Sequence, residues 1–289
     1  MKQLFTVSVL ALLTLAQSAS AKTILFVGNS FTYGELSPVK QYGANSVTDL
    51  NKGGVGGVPA LFKAFASEAG LDYDVSLETV PGVGLDYHYA EKRALLDRKW
   101  DAVVLQSYST LDQYHAGDPG LLVKYTGLLS DMLHRRNPDV KIYLTATWSR
   151  ADLTYPEGMP WHGKPITQMG KDVDAGYRIA GQKVPGIAGI IPVGLSWNHA
   201  IDSGLADPNP YDGISANQIN LWAVDNYHAS TYGYYLEALL VFGRVTGIDP
   251  LKVGDHEKAI GDLSLDPAVI RKLEQIARDE LARKPGVGE

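Results

Sequence analysis

The stretch Ile24-Leu25-Phe26-Val27-Gly28-Asn29-Ser30-Phe31-Thr32 decides the reading of this chain. Residues 23–28 form a near-continuous apolar run, the pattern of a strand buried on both faces of a parallel sheet. A glycine, an asparagine and a serine follow at once. Open α/β sheets place their chemistry outside the carboxyl ends of the strands, and that is where this order delivers Ser30.

Working outward, strand and helix signals alternate. Apolar residues at helical spacing, Leu61, Phe62, Phe65 and Ala69, predict a helix over 58–69. Further helices are expected over 86–98, 120–136, 168–183, 231–245 and 267–283, the last opening on Asp266-Pro267. Strands are expected at 73–80, 101–105, 140–147 and 189–193. Five strands separated by helices imply a parallel sheet covered on both faces. The segments 33–57, 148–166 and 203–224 are longer than ordinary connections, which marks them as functional loops or disordered segments.

Composition narrows the function classes. The chain has 289 residues, 45% of them apolar and 20% charged, as in ordinary globular proteins. Residues 1–21 read as an export signal: Lys2, an apolar core containing Leu10 to Leu15, and Ala19-Ser20-Ala21 as a small-x-small cleavage site. Cleavage near Ala21 leaves a periplasmic or secreted domain over 22–289, with no spanning segment in the mature chain. Without Lys2, 25 basic residues face 32 acidic ones, a net charge of −7. Such a chain is unsuited to nucleic acid, which demands basic patches. Cysteine is absent, which excludes a thiol nucleophile and cysteine metal sites.

Nearly two hundred residues after Ser30 comes Asp225-Asn226-Tyr227-His228. A serine hydroxyl is a weak nucleophile and needs a base within hydrogen-bond reach. His228 can be that base, and Asp225, three residues earlier, can hold its imidazole in the required tautomer. Asp207, Asn209 and Asp212 lack the full spacing and terminal glutamate of a calcium loop, so they read as turn residues and no metal is expected. Gly53 to Gly57 follows no strand and lacks a Walker lysine, which argues against a phosphate loop.

These two blocks, Gly28-Asn29-Ser30-Phe31-Thr32 and Asp225-Asn226-Tyr227-His228-Ala229-Ser230, resemble those of SGNH hydrolases, the superfamily of GDSL esterases and lipases. The likeness covers about residues 23–245. It implies a three-layer α/β/α sandwich around a five-stranded, flavodoxin-like parallel sheet. It also implies a Ser30–His228–Asp225 triad, no cofactor, and an oxyanion hole with three donors. Ser30 N–H is the first donor. The second is a glycine N–H, Gly82 or Gly84, with Gly82 preferred. The family's Gly-x-Asn-Asp block is replaced by Leu105-Gln106-Ser107-Tyr108-Ser109, so Gln106 is the candidate third donor, with Ser107 and Ser109 as weaker ones. His88 and Trp148 are candidate substrate contacts; Trp161 and Trp197 share the same aromatic argument. The resemblance implies an exported serine esterase acting on a small-molecule or glycan ester, O-acetyl groups on carbohydrate first. The alternatives are a non-catalytic glycan-binding protein on the same fold and a flavodoxin-like phosphate binder, which leaves Asp225 and His228 unexplained.

Overall fold

The computed structural model describes residues 20–254 and 257–283. All but the last two residues of the expected export signal lie outside the described residues. The first half of the chain runs β1 (Lys22–Gly28), α1 (Ser30–Tyr33), β2 (Thr48–Asp49), α2 (Gly57–Glu68), β3 (Tyr73–Thr79), α3 (Leu85–Glu91), α4 (Arg93–Leu96), β4 (Ala102–Leu105) and α5 (Gly120–Arg136). The second half runs β5 (Lys141–Ala146), α6 (Thr167–Lys183), β6 (Ile187–Pro192), α7 (Val193–Asp202), α8 (Thr231–Thr246), α9 (Lys258–Asp262) and α10 (Pro267–Ala282).

All strand pairings are parallel, in the order β2-β3-β1-β4-β5-β6. Without β2 this is the flavodoxin-like order, with β1 flanked by β3 and β4 at the point where the winding reverses. Among the described residues the sheet has six strands where five were expected. The sixth, β2, is two residues long and lies within the 33–57 segment, too short to leave an alternating signal. The expected single helix over 86–98 is two, α3 and α4, meeting at Lys92.

Period-two alternation divides each central strand between two cores. Ile24 and Phe26 of β1, with Val75, Leu77 and Val104, face one cluster that includes Leu61, Phe62, Phe65, Leu236 and Leu240 from α2 and α8. Leu25 and Val27, with Val103, Leu105, Ile142 and Leu144, face the other, built on Leu129, Leu133, Val173 and Tyr177 from α5 and α6. Both faces of β1 are therefore dry, which is why its sequence reads as an unbroken apolar run.

Register then fixes the site. Gly28 pairs with Thr79 and Val27 with Leu105, so β1, β3 and β4 end level with one another. The Val80 N–H donates to Gly28 O and the Gln106 N–H to Val27 O, carrying the pairing past the strand ends. The loops bearing Ser30, Gly82 and Gln106 are delivered to one edge.

Candidate active site

Ser30 opens α1, a single helical turn. Asn29 caps it by accepting the Phe31 N–H through Oδ1 at 3.1 Å. The Asn29 amide donates to Val83 O at 2.9 Å and Ser107 O at 3.3 Å, tying the serine loop to the glycine loop and to the segment after β4. Gln106 supports the same loop from below. Its Oε1 accepts the Asn29 N–H at 2.9 Å and the Thr32 hydroxyl at 3.1 Å. This contact explains Gly28: a Cβ there would stand 2.7 Å from Gln106 Oε1 and 2.2 Å from Thr32 Oγ1.

The opposing wall is the turn at 223–228. The Ala223 N–H donates to His228 O, and Asn226 turns the chain with a φ of 57°, a conformation that asparagine tolerates. Asp225 closes the turn on itself. Its Oδ1 accepts the Tyr227 and His228 N–H groups at 3.1 and 3.0 Å, and its Oδ2 lies 2.6 Å from His228 Nδ1. Burial pushes the Asp225 carboxyl up, but the imidazole and the two N–H donors outweigh it and hold the group below the ordinary carboxylate range. The carboxylate can therefore hold a proton on Nδ1 and leave Nε2 as the basic nitrogen. That Nε2 is buried and has no hydrogen-bond partner among the described residues.

Three bonds from the segment after β5 pin this turn. Trp148 Nε1 donates to Tyr227 O at 3.1 Å, Trp222 Nε1 to Ser149 O at 2.9 Å, and the Asp152 N–H to Asn226 O at 3.2 Å. Aromatic packing joins the turn to the serine loop. The Phe31 ring lies 4.2 Å from Trp148, 5.3 Å from Tyr227 and 5.8 Å from His228, centroid to centroid. Such pairs contribute roughly 0.5–1.5 kcal/mol each beyond the area that they bury. Behind them the Tyr234 hydroxyl, on α8, lies 3.2 Å from both Ser30 O and Glu35 O. Segments two hundred residues apart are thus packed ring against ring.

Three expected site residues have other roles. Both ends of the Gln106 carboxamide are bonded within the protein: besides the bonds to its oxygen, its Nε2 donates to Ser107 O, and the residue is buried. It is a strut for the Ser30 loop. His88 is fully buried, with Nδ1 2.5 Å from Glu78 Oε2. Glu78 in turn accepts from Asn51, whose Oδ1 accepts from Lys92. His88 belongs to an internal polar chain under the 33–57 segment, not to a substrate surface. Trp148 is also fully buried, sandwiched between Phe31 and Trp197, the latter stacked at 4.8 Å with nearly parallel rings. It orients the histidine turn. Trp161, too, is buried, its Nε1 donating to Asp172.

Gly82, with a φ of +72°, stands exposed beside a cavity of about 360 Å³. Asn29, Tyr108, Ser109, Arg150 and Tyr227 share that cavity. Gly84 is instead a packing glycine; a Cβ there would meet the Tyr108 ring at 2.4 Å. The 207–215 loop is turn chemistry: Asp207 accepts the Asn209 and Ser215 N–H groups, and Asn209 donates to Asp212. Sequence reasoning passed over Arg150 and Tyr227. Arg150 is the cation of the cavity wall, its guanidinium 3.7 Å above the Tyr227 ring and paired with Asp152. Tyr227 stood within the Asp-x-x-His block as a spacer, and no local signal distinguishes a spacer from a wall residue.

No family model and no curated protein matches the sequence. Solved structures do match the fold. A DUF4886 family protein from Bacteroides uniformis superposes with a TM-score of 0.61 at 18% identity, over 90% of this chain and 95% of that one. A GDSL-like lipase, so described, from Parabacteroides merdae gives 0.53 at 16% identity, over 78% and 95%. A protein described as an SGNH hydrolase from Slackia heliotrinireducens gives 0.50 at 18% identity, over 78% and 99%. The fold is that of the SGNH hydrolases.

Proposed function

We propose that this chain is an exported serine esterase that hydrolyses carboxylic esters through Ser30, His228 and Asp225. The observation that carries this reading is the Asp225–His228 pair, closed at 2.6 Å with Nε2 unengaged and packed against the Ser30 loop at the end of the sheet. Ser30 Oγ attacks the ester carbonyl as Nε2 takes its proton. Asp225 holds the Nδ1–H and stabilises the imidazolium. The Ser30 N–H, which has no partner within its own helix, and the Gly82 N–H receive the oxyanion. Nε2 then protonates the leaving alcohol, and water repeats the sequence to release the acid. The Ser30–His228 hydrogen bond forms when substrate fills the site, as catalytic contacts often tighten only in the complex.

For the substrate we favour O-acetyl groups on carbohydrate. The cavity beside Gly82 carries three tyrosines on its wall, Tyr108, Tyr114 and Tyr227, with Ser109, Thr110, Gln113 and Arg150, a lining suited to stacking on and hydrogen-bonding to sugar rings. One feature favours a non-catalytic glycan binder instead: Gln106 is engaged within the protein. Hydrolysis of p-nitrophenyl acetate and labelling by a fluorophosphonate separate the two readings. The esterase does both and Ser30→Ala neither, at an unchanged melting temperature. A wild-type protein that does neither is a binder, and a Ser30→Ala variant with full activity rules out the nucleophile. A panel of acetylated polysaccharides then identifies the alcohol.

A further inference from the structure

With both ends of the Gln106 carboxamide tied into the loop framework, another side chain on the cavity wall is a candidate donor for the tetrahedral oxyanion. Asn29 is tied in the same way: both of its amide atoms are bonded within the loop framework. Two further donors on the cavity wall have partners. The Thr110 hydroxyl donates to Asp112 O, and the Arg150 guanidinium is bidentate on Asp152. Tyr227 is different. It lines the same cavity as Gly82 and Asn29, and its ring packs on Phe31, the residue after Ser30, and on His228.

We propose that the Tyr227 hydroxyl is the third oxyanion donor of this site. The inference rests on the esterase reading. A phenolic O–H is a competent donor for an oxyanion. The ring is held rigidly, tilted on Phe31 at 5.3 Å and on His228 at 4.1 Å, with its backbone oxygen taken by Trp148. Burial raises the phenol above its ordinary range, so it stays protonated at neutral pH. The guanidinium of Arg150 above the ring draws electron density from the oxygen and favours partial transfer of charge onto it as the bond to the oxyanion forms. Preorganised donors of this kind act without reorganisation during the reaction.

The test is Tyr227→Phe, which keeps every ring contact and removes only the oxygen. Thermal melting confirms the fold of the variant. Turnover of p-nitrophenyl acetate and of ethyl acetate should both fall by about 10²-fold, the usual effect of losing one donor, with KM within threefold. Both fall alike because an oxyanion forms in acylation and in deacylation whatever the leaving group. Inhibition by phenylboronic acid, which forms a tetrahedral adduct on Ser30, should weaken along with turnover. Unchanged or faster turnover in the variant overturns the proposal, and so does unchanged boronate inhibition. A loss confined to ethyl acetate makes Tyr227 a leaving-group acid and also overturns it. A wild type without esterase activity or fluorophosphonate labelling removes the underlying reading as well. Labelling of both proteins with equal turnover removes only the assignment of Tyr227.

Discussion

Replacing Asp225 by asparagine separates the two roles of this carboxylate. Its Oδ1 accepts two backbone N–H groups at 3.0 and 3.1 Å, which shapes the turn, while Oδ2 receives the Nδ1–H of His228 at 2.6 Å, which sets the tautomer. In Asp225→Asn the remaining oxygen still accepts both N–H groups, so the turn survives. The new NH₂ faces Nδ1 and makes it an acceptor, which moves the imidazole proton to Nε2, the nitrogen that must receive the serine proton. The base is then unavailable although the geometry is intact. Losses near 10⁴ in kcat follow from this error in serine proteases, and the same figure, about 5 kcal/mol, is expected here. Asp225→Ala loses the turn as well, and two N–H groups without an acceptor cost roughly 1–3 kcal/mol each where buried. Steady-state hydrolysis of p-nitrophenyl acetate and thermal melts of the three proteins measure both effects. The expected pattern is a nearly unchanged melt for asparagine and a lowered one for alanine, both being poorly active. His228→Ala should cost more than Asp225→Asn. An asparagine variant within tenfold of wild type would refute the role assigned to Asp225.

His88→Ala should lower stability by about 3–5 kcal/mol, because it strips the partner from the buried carboxylate of Glu78, while leaving KM for acetyl esters within twofold. A raised KM at unchanged stability would return His88 to the substrate surface. Glu257 gives the protein a pH-dependent weakness. Burial, aided by the charge of Glu68, lifts its carboxyl from the ordinary value near 4.5 to about 7, against the opposing bonds from Ala259 N–H and Tyr235. The folded state therefore holds a proton that the unfolded state releases, and stability falls as pH rises from about 4.5 to 7. Glu257→Gln should melt like wild type at pH 4 and be more stable by about 1–3 kcal/mol at pH 8. Equal melts at pH 8 would show that this carboxyl does not govern the decline.

The sheet and the polar pair were readable in the sequence because each is a local consequence of side-chain pattern. β1 has no solvent face, so its residues are apolar without alternation. Asp225 and His228 lie three apart, so one turn suffices to join them. The strand count missed β2, whose two residues pair only because β3 happens to present an edge. The helix at 86–98 was expected whole and breaks at Lys92.

What sequence alone determined was the parallel sheet, the serine at its carboxyl edge and the aspartate–histidine turn, since burial pattern and short-range hydrogen bonding dictate them. Only the tertiary structure decided which polar groups remained available to a substrate. Gln106, His88 and Trp148 have the chemistry of a site, but register and packing supplied each with an internal partner first. Tyr227 gained its place because the turn that carries it folds over Ser30. A side chain's chemistry is local, whereas its exposure depends on everything that packs around it.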